Sequence, residues 1–176
     1  INEKIEHDIK DSFTIIKVED FHRSFSNYLA ERTKDILRSI YKNDIENNIM
    51  KLYWNGVELE TYKREILKDD NGDEYLWKLD FDVNGKKING WVGLLAAGTK
   101  YGSSRKHAGF SVSRNRRMLH CFPDYYKPYS IFGQDGGSND LVNQRVFGHL
   151  EVSNEFGVTQ AKDNIVFEGN EDEILN

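Results

Sequence analysis

Residues 83–123 carry eight lysines and arginines and no carboxylate. A stretch of that kind can neutralise phosphate groups, and it contrasts with a net −6 before it and −7 after it. The overall charge of −5 and the pI near 5.6 are averages over unlike segments. The candidate nucleic-acid contacts are Lys100, Arg105, Lys106, Arg114, Arg116 and Arg117, with Gly102-Ser103-Ser104 as a loop in front of a hairpin. Only Tyr101 and Phe110 interleave with these cations as stacking partners, so contact with backbone phosphate is expected, not readout of base sequence. The same charges also fit an ordinary solvated sheet face.

Three other motifs lack a required part. Gly93 to Gly98 followed by Thr99-Lys100 has the glycine spacing of a P-loop, but a P-loop lysine must follow the second glycine directly to reach the terminal phosphates. Here Thr99 stands in that place. Asp69-Asp70-Asn71-Gly72-Asp73 resembles a calcium loop, yet the sixth and twelfth positions hold Glu74 and Asp80 where glycine and a bidentate glutamate are needed. A hairpin tip is the expected structure. The five histidines are scattered and Cys121 is the single cysteine, so neither a disulfide nor a zinc site is indicated and the metal expectation is none. A hydrolase using His120 and Cys121 ranks below the other readings, because a lone cysteine beside aromatics more often fills apolar space.

The elements that must position these residues follow from periodicity. Phe13 to Val18 reads as a strand, and Phe21, Phe25, Tyr28, Leu29, Ile36, Leu37, Ile40 and Tyr41 recur at helical spacing, with Glu31, Arg32, Lys34, Asp35 and Arg38 largely on the other face. Asn43 to Asn48 supply the stop. Beyond it, short runs are punctuated by Asn55-Gly56, Asn71-Gly72, Asn84-Gly85 and Asn89-Gly90, all turn signals. Strands are expected over Met50 to Asn55, Val57 to Glu60, Tyr75 to Val83, Lys87 to Leu95, Ala108 to Val112, Arg117 to Phe122, Val146 to Val152 and Asn164 to Phe167. Gly133 to Ser138 and Gly157 to Lys162 read as loops. One helix followed by hairpins and a mixed tail predicts an α+β fold with a mixed, largely antiparallel sheet, not a doubly wound one. With ten Phe, nine Tyr and three Trp in 176 residues, a disordered chain is excluded.

Three blocks stand in order along the second half: Ala108-Gly-Phe-Ser-Val-Ser-Arg-Asn-Arg-Arg-Met-Leu-His120, Leu141-Val-Asn-Gln-Arg-Val-Phe-Gly-His-Leu-Glu-Val152 and Val158-Thr-Gln-Ala-Lys-Asp-Asn-Ile165. Their order and spacing resemble the second, transducer-like domain of the GHKL ATPases, the superfamily of gyrase B, MutL and MORC, with the likeness closest to MORC and related bacterial ATP-binding proteins. The likeness covers residues 85–168. It implies a long connector helix, a β-α-β crossover, and a loop whose lysine meets the γ-phosphate of ATP bound in an upstream domain. Carried onto this chain, that lysine is Lys162, with Gln160 helping to hold the loop. In DNA-handling relatives the same domain faces duplex.

The resemblance organises the chain as residues 1–18 ending an ATP-binding domain, 19–48 the connector helix, 49–168 the transducer-like β domain and 169–176 an acidic tail. The helix with Glu and Asn and the glycine-rich loops of the nucleotide-binding core are missing from the sequence. The segment alone is therefore expected to be non-catalytic and to need no cofactor, whereas the full-length ATP hydrolase would use ATP and Mg2+. A start at Ile1-Asn2-Glu3-Lys4, without Met, fits a chain that begins mid-protein. The expected partners are the upstream domain, a second copy in a homodimer, and DNA, in a cytoplasmic and membrane-free setting, with bacterial defence or restriction as the context the family suggests. The rival reading is a stand-alone nucleic-acid-binding or protein-interaction β module without nucleotide dependence.

Overall fold

The computed structural model describes residues 26–98, 101–133, 140–161 and 164–166. The strand expected at Phe13 to Val18 and the acidic tail lie outside these residues, as do Lys100 and Lys162.

Helix α1 spans Asn27–Ile40, and its N-cap Ser26 accepts a hydrogen bond from the Leu29 N–H, satisfying one of the donors that a helix start leaves open. After a break at Tyr41 a short second helix, α2, spans Lys42–Glu46. The helical run ends within the expected Asn43 to Asn48 stop: α2 closes at Glu46 with Asn47 as its C-cap, and Asn48 has positive φ. The expected facing of α1 is corrected. Tyr28, Leu29 and Ile40 are exposed, while Lys34, Asp35 and Arg38 turn partly inward. The inward cations rest on rings, Lys34 5.9 Å from the Trp54 centroid and Arg38 5.5 Å from that of Tyr62, so their stems are covered without the charge being stranded.

Strands β1 (Tyr53–Trp54) and β2 (Val57–Glu58) form the hairpin that Asn55-Gly56 predicts, shortened to two residues a side. Next come β3 (Leu76–Val83), β4 (Lys86–Leu94), β5 (Gly109–Arg114) and β6 (Arg117–His120). Two short helices, α3 (Tyr129–Phe132) and α4 (Leu141–Arg145), whose residues periodicity did not mark, lie in the connection between β5 and the strand parallel to it. The Asp140 carboxylate caps α4, accepting from the Asn143 N–H at 2.7 Å. Strand β7 (Val146–Val152) occupies the expected residues, and β9 (Ile165–Val166) lies within the expected strand, pairing with β8 (Gly157–Val158), where a loop was expected.

The main sheet has the order β3-β4-β7-β5-β6. All its pairings are antiparallel except β5 with β7, which run parallel and are joined through β6, α3 and α4. The fold is α+β with a mixed, mostly antiparallel sheet. Asn84-Gly85 and Asn115-Arg116 make tight turns, with Asn84, Asn115 and Arg116 at positive φ. Asn71-Gly72 lies at a hairpin tip closed by Lys68 and Glu74, so the calcium-like acids are turn residues. Asn89-Gly90 does not turn. It lies within β4, opposite Asp80-Leu79 on one side and Glu151-Leu150 on the other.

Ile88, Phe110, Val112, Leu150 and Val152 line the core face, covered by Phe132, Phe156 and Ile165. The alternation of side chains sends Trp91, Ser111, Phe147 and His149 to the opposite face, beneath α1 and α2. Among the described residues no helix is long and apolar enough to cross a membrane.

Candidate functional site

The β5–β6 hairpin is where helix, sheet and C-terminal loop meet. Its edge strand is held to the helices at both ends: the Asn43 side-chain amide donates to the Arg116 carbonyl at 3.2 Å, and the Phe122 N–H donates to the Ser39 hydroxyl at 2.9 Å. The other flank of the hairpin grips the β8–β9 loop. The Arg117 guanidinium reaches the Ala161 carbonyl at 3.5 Å, and His120 Nε2 donates to Asn164 Oδ1 at 3.0 Å. The loop base is closed by the Thr159 N–H on the Asn164 carbonyl at 3.0 Å, and Arg114 ties the tip to the Asn154 carbonyl at 2.7 Å. Gln160 is exposed beside this contact. Two sets of candidates that are more than forty residues apart in the chain, the basic tip and the loop, are therefore neighbours.

Of the six candidate nucleic-acid contacts, Lys100 lies outside the described residues, and the other five fall into two groups. Exposed Arg116 and Arg117 and partly covered Arg114 share the hairpin tip, beside Tyr41 and Asp44. Lys106 lies over the Phe122 ring, 4.9 Å from its centroid, beside Tyr28 and Arg32. The grooves beside Lys106 and beside Arg116 and Arg117 adjoin at Phe122 and Pro123, which line both. Arg105, whose carbonyl accepts from Lys127 Nζ at 3.0 Å, follows Lys106 in this second group. A segment free of acids in sequence is not free of them in space. Asp44 and Asp124 line the groove beside Arg116 and Arg117, and Glu151 is opposite Ser113.

Beneath α1 a polar layer, missed in the sequence, supports the hairpin. Arg64 donates to the His107 carbonyl at 3.1 Å and to the Tyr125 hydroxyl, and its guanidinium lies 4.9 Å from the Tyr125 ring and 5.5 Å from that of Phe147. Burial pushes its pKa down to about 10. Burial lowers Lys42 as well, against the opposing pull of Glu46. His149 lies between two serines. The Ser111 hydroxyl donates to the Gly148 carbonyl at 3.1 Å, so its oxygen accepts from His149 Nδ1–H at 2.9 Å, and the Ser113 hydroxyl donates to Nε2 at 3.0 Å. This network fixes the neutral Nδ1–H tautomer. Burial first, then the charge of Lys42, hold its pKa down to about 4. The sequence signal for this layer was the run of small polar residues alternating with apolar ones in β5, which marks a second covered face.

His120 and Cys121 diverge. His120 joins Asn164 and the core-side cavity, whereas Cys121 faces Ser39 and Asp124, with burial raising its thiol pKa. They do not make a nucleophile–base pair. Among the described residues no group of three His, Cys, Asp or Glu could hold a metal ion. Gly93 is a strand residue and Gly98 ends a bend, so the two glycines do not form a phosphate-cradling loop; Thr99 and Lys100 lie outside the described residues. No family model, curated protein or solved structure matches this chain.

Proposed function

We propose that this chain is a transducer-like module of a GHKL-type, DNA-acting ATPase, coupling a nucleotide domain that precedes it to movement of a DNA-facing surface. The observation that carries the reading is the continuous set of contacts from α2 through Asn43 to Arg116, and from Arg117 and His120 into the loop between Thr159 and Asn164. A displacement of that loop would be felt at the basic tip and at α2, because polar contacts link the three in series. The nucleotide belongs to the preceding domain, and Lys162 with Gln160 are the residues the family likeness assigns to it. A cytoplasmic location and action as a dimer are parts of the same proposal.

Two measurements test it. With the ATP-binding domain attached, Lys162→Ala should reduce ATP turnover at least tenfold at unchanged thermal stability; full turnover would remove the assignment. For the chain alone, binding to duplex DNA should fall steeply with salt. The Arg114→Gln, Arg116→Gln, Arg117→Gln triple variant should flatten the log–log salt slope by about three. Salt-independent binding, or none, would favour the protein-interaction reading.

A further inference from the structure

Strand β3 lies at the edge of the five-stranded sheet, and its eight residues pair only with β4 among the described residues. Proteins usually blunt such an edge by shortening, bulging or covering it. This strand is long and in unbroken register. One of its faces carries Trp77 and Phe81, 51% and 38% exposed, on either side of half-buried Leu79; the other carries exposed Lys78, Asp80 and Asp82.

We propose that β3 pairs antiparallel with β3 of a second copy of this chain, centred on Leu79, joining the two sheets into one. The register follows from the charges. A two-fold axis perpendicular to the sheet keeps each face continuous, since directly opposed residues share a face. Centred on Leu79, the arrangement sets Lys78 opposite Asp80 of the second copy, twice, and Trp77 opposite Phe81 of the second copy, twice. Centred on Asp80, two Lys78–Asp82 pairs would be offset by that aspartate opposing its own counterpart, and Leu79 instead of Trp77 would face Phe81; centred on Lys78, the two lysines would meet. Like charges directly opposite destabilise a pair, whereas opposite charges and aromatic pairs stabilise it. The charges on this edge thus discourage indiscriminate pairing yet match one partner. The rings that water now reaches would be covered. The existing Asp80–Lys87 ion pair, 3.5 Å long with both side chains more than half exposed, offers little resistance. The inference rests on the edge and its charge pattern and is independent of any link to a nucleotide.

Sedimentation equilibrium of the 176-residue chain should show a reversible dimer. Lys78→Asp and Asp80→Lys, each alone, should weaken self-association roughly tenfold to a hundredfold, because each turns two attractive pairs into two repulsive ones. The Lys78→Asp, Asp80→Lys double variant should restore the dimer. Mixing the two single variants should give a heterodimer, since at positions 78 and 80 one then offers two acids and the other two bases. Circular dichroism and the recovery in the mixture separate lost pairing from lost folding. A monomeric parent chain at every concentration, or a dimer unaffected by the single swaps, would overturn the proposal.

Discussion

Gly90→Ala is expected to destabilise the protein by more than about 4 kcal/mol, enough to leave much of the chain unfolded at ambient temperature. Gly90 lies within β4, between Leu79 of β3 and Leu150 of β7. A methyl group built there would lie 2.0 Å from the His149 carbonyl oxygen and 3.1 Å from the Leu150 Cα, both backbone atoms. No rotamer change relieves such a contact, so β4 and β7 must separate and their ladder must break. Gly148 makes the reciprocal approach, with its hypothetical Cβ 2.4 Å from the Trp91 carbonyl oxygen. Gly85→Ala is the control. At φ +77 with nothing within 4 Å, it should cost only about 1 kcal/mol of backbone strain. Urea unfolding of the two variants provides the comparison, and equal stabilities would refute the close approach of the two strands.

The second large effect is an acid limb in stability set by His149. Its folded pKa of about 4 lies below the ordinary value of 6.5, so the unfolded chain binds more protons between those limits. Stability therefore rises with pH across that window and is lost as pH falls through it, by roughly 3 kcal/mol in full. The physical cause is a covered imidazole whose Nε2 already accepts from Ser113, with the Lys42 ammonium nearby. His149→Gln keeps a neutral donor and acceptor between Ser111 and Ser113. It should flatten this limb, while the lowered pKa of His107 acts in both proteins and cancels from the difference. Unfolding free energies measured through the window should converge on acidification. Parallel curves would mean that His149 is not held neutral.

Much of the hairpin structure was legible because its determinants are local. Asn55-Gly56 and Asn84-Gly85 turn where such pairs turn, and the alternation over Val146 to Val152 marks that strand to the residue. Asn89-Gly90 misled for a physical reason. The same dipeptide that permits a turn also permits the backbone contact that β7 requires, and no local signal separates the two. The facing of α1 misled similarly. Periodicity set its spacing, but Lys34 and Arg38 found aromatic rings supplied by residues about twenty positions later, and its apolar Tyr28 and Leu29 were left outward.

For the candidate site the division is sharper. The sequence by itself determined the α+β class, the basic hairpin with its tip at Asn115, and the order of the three blocks that suggests a transducer-like module. Only the tertiary structure decided which cations stand together, that Arg117 and His120 meet the loop at Ala161 and Asn164, and that Arg64 and His149 lie in a covered polar layer. Turns and strand periods depend on neighbours a few residues away. The clasp depends on bringing β5 beside β7 in parallel, and that pairing exists only once the intervening chain has crossed the sheet and the core has closed over it.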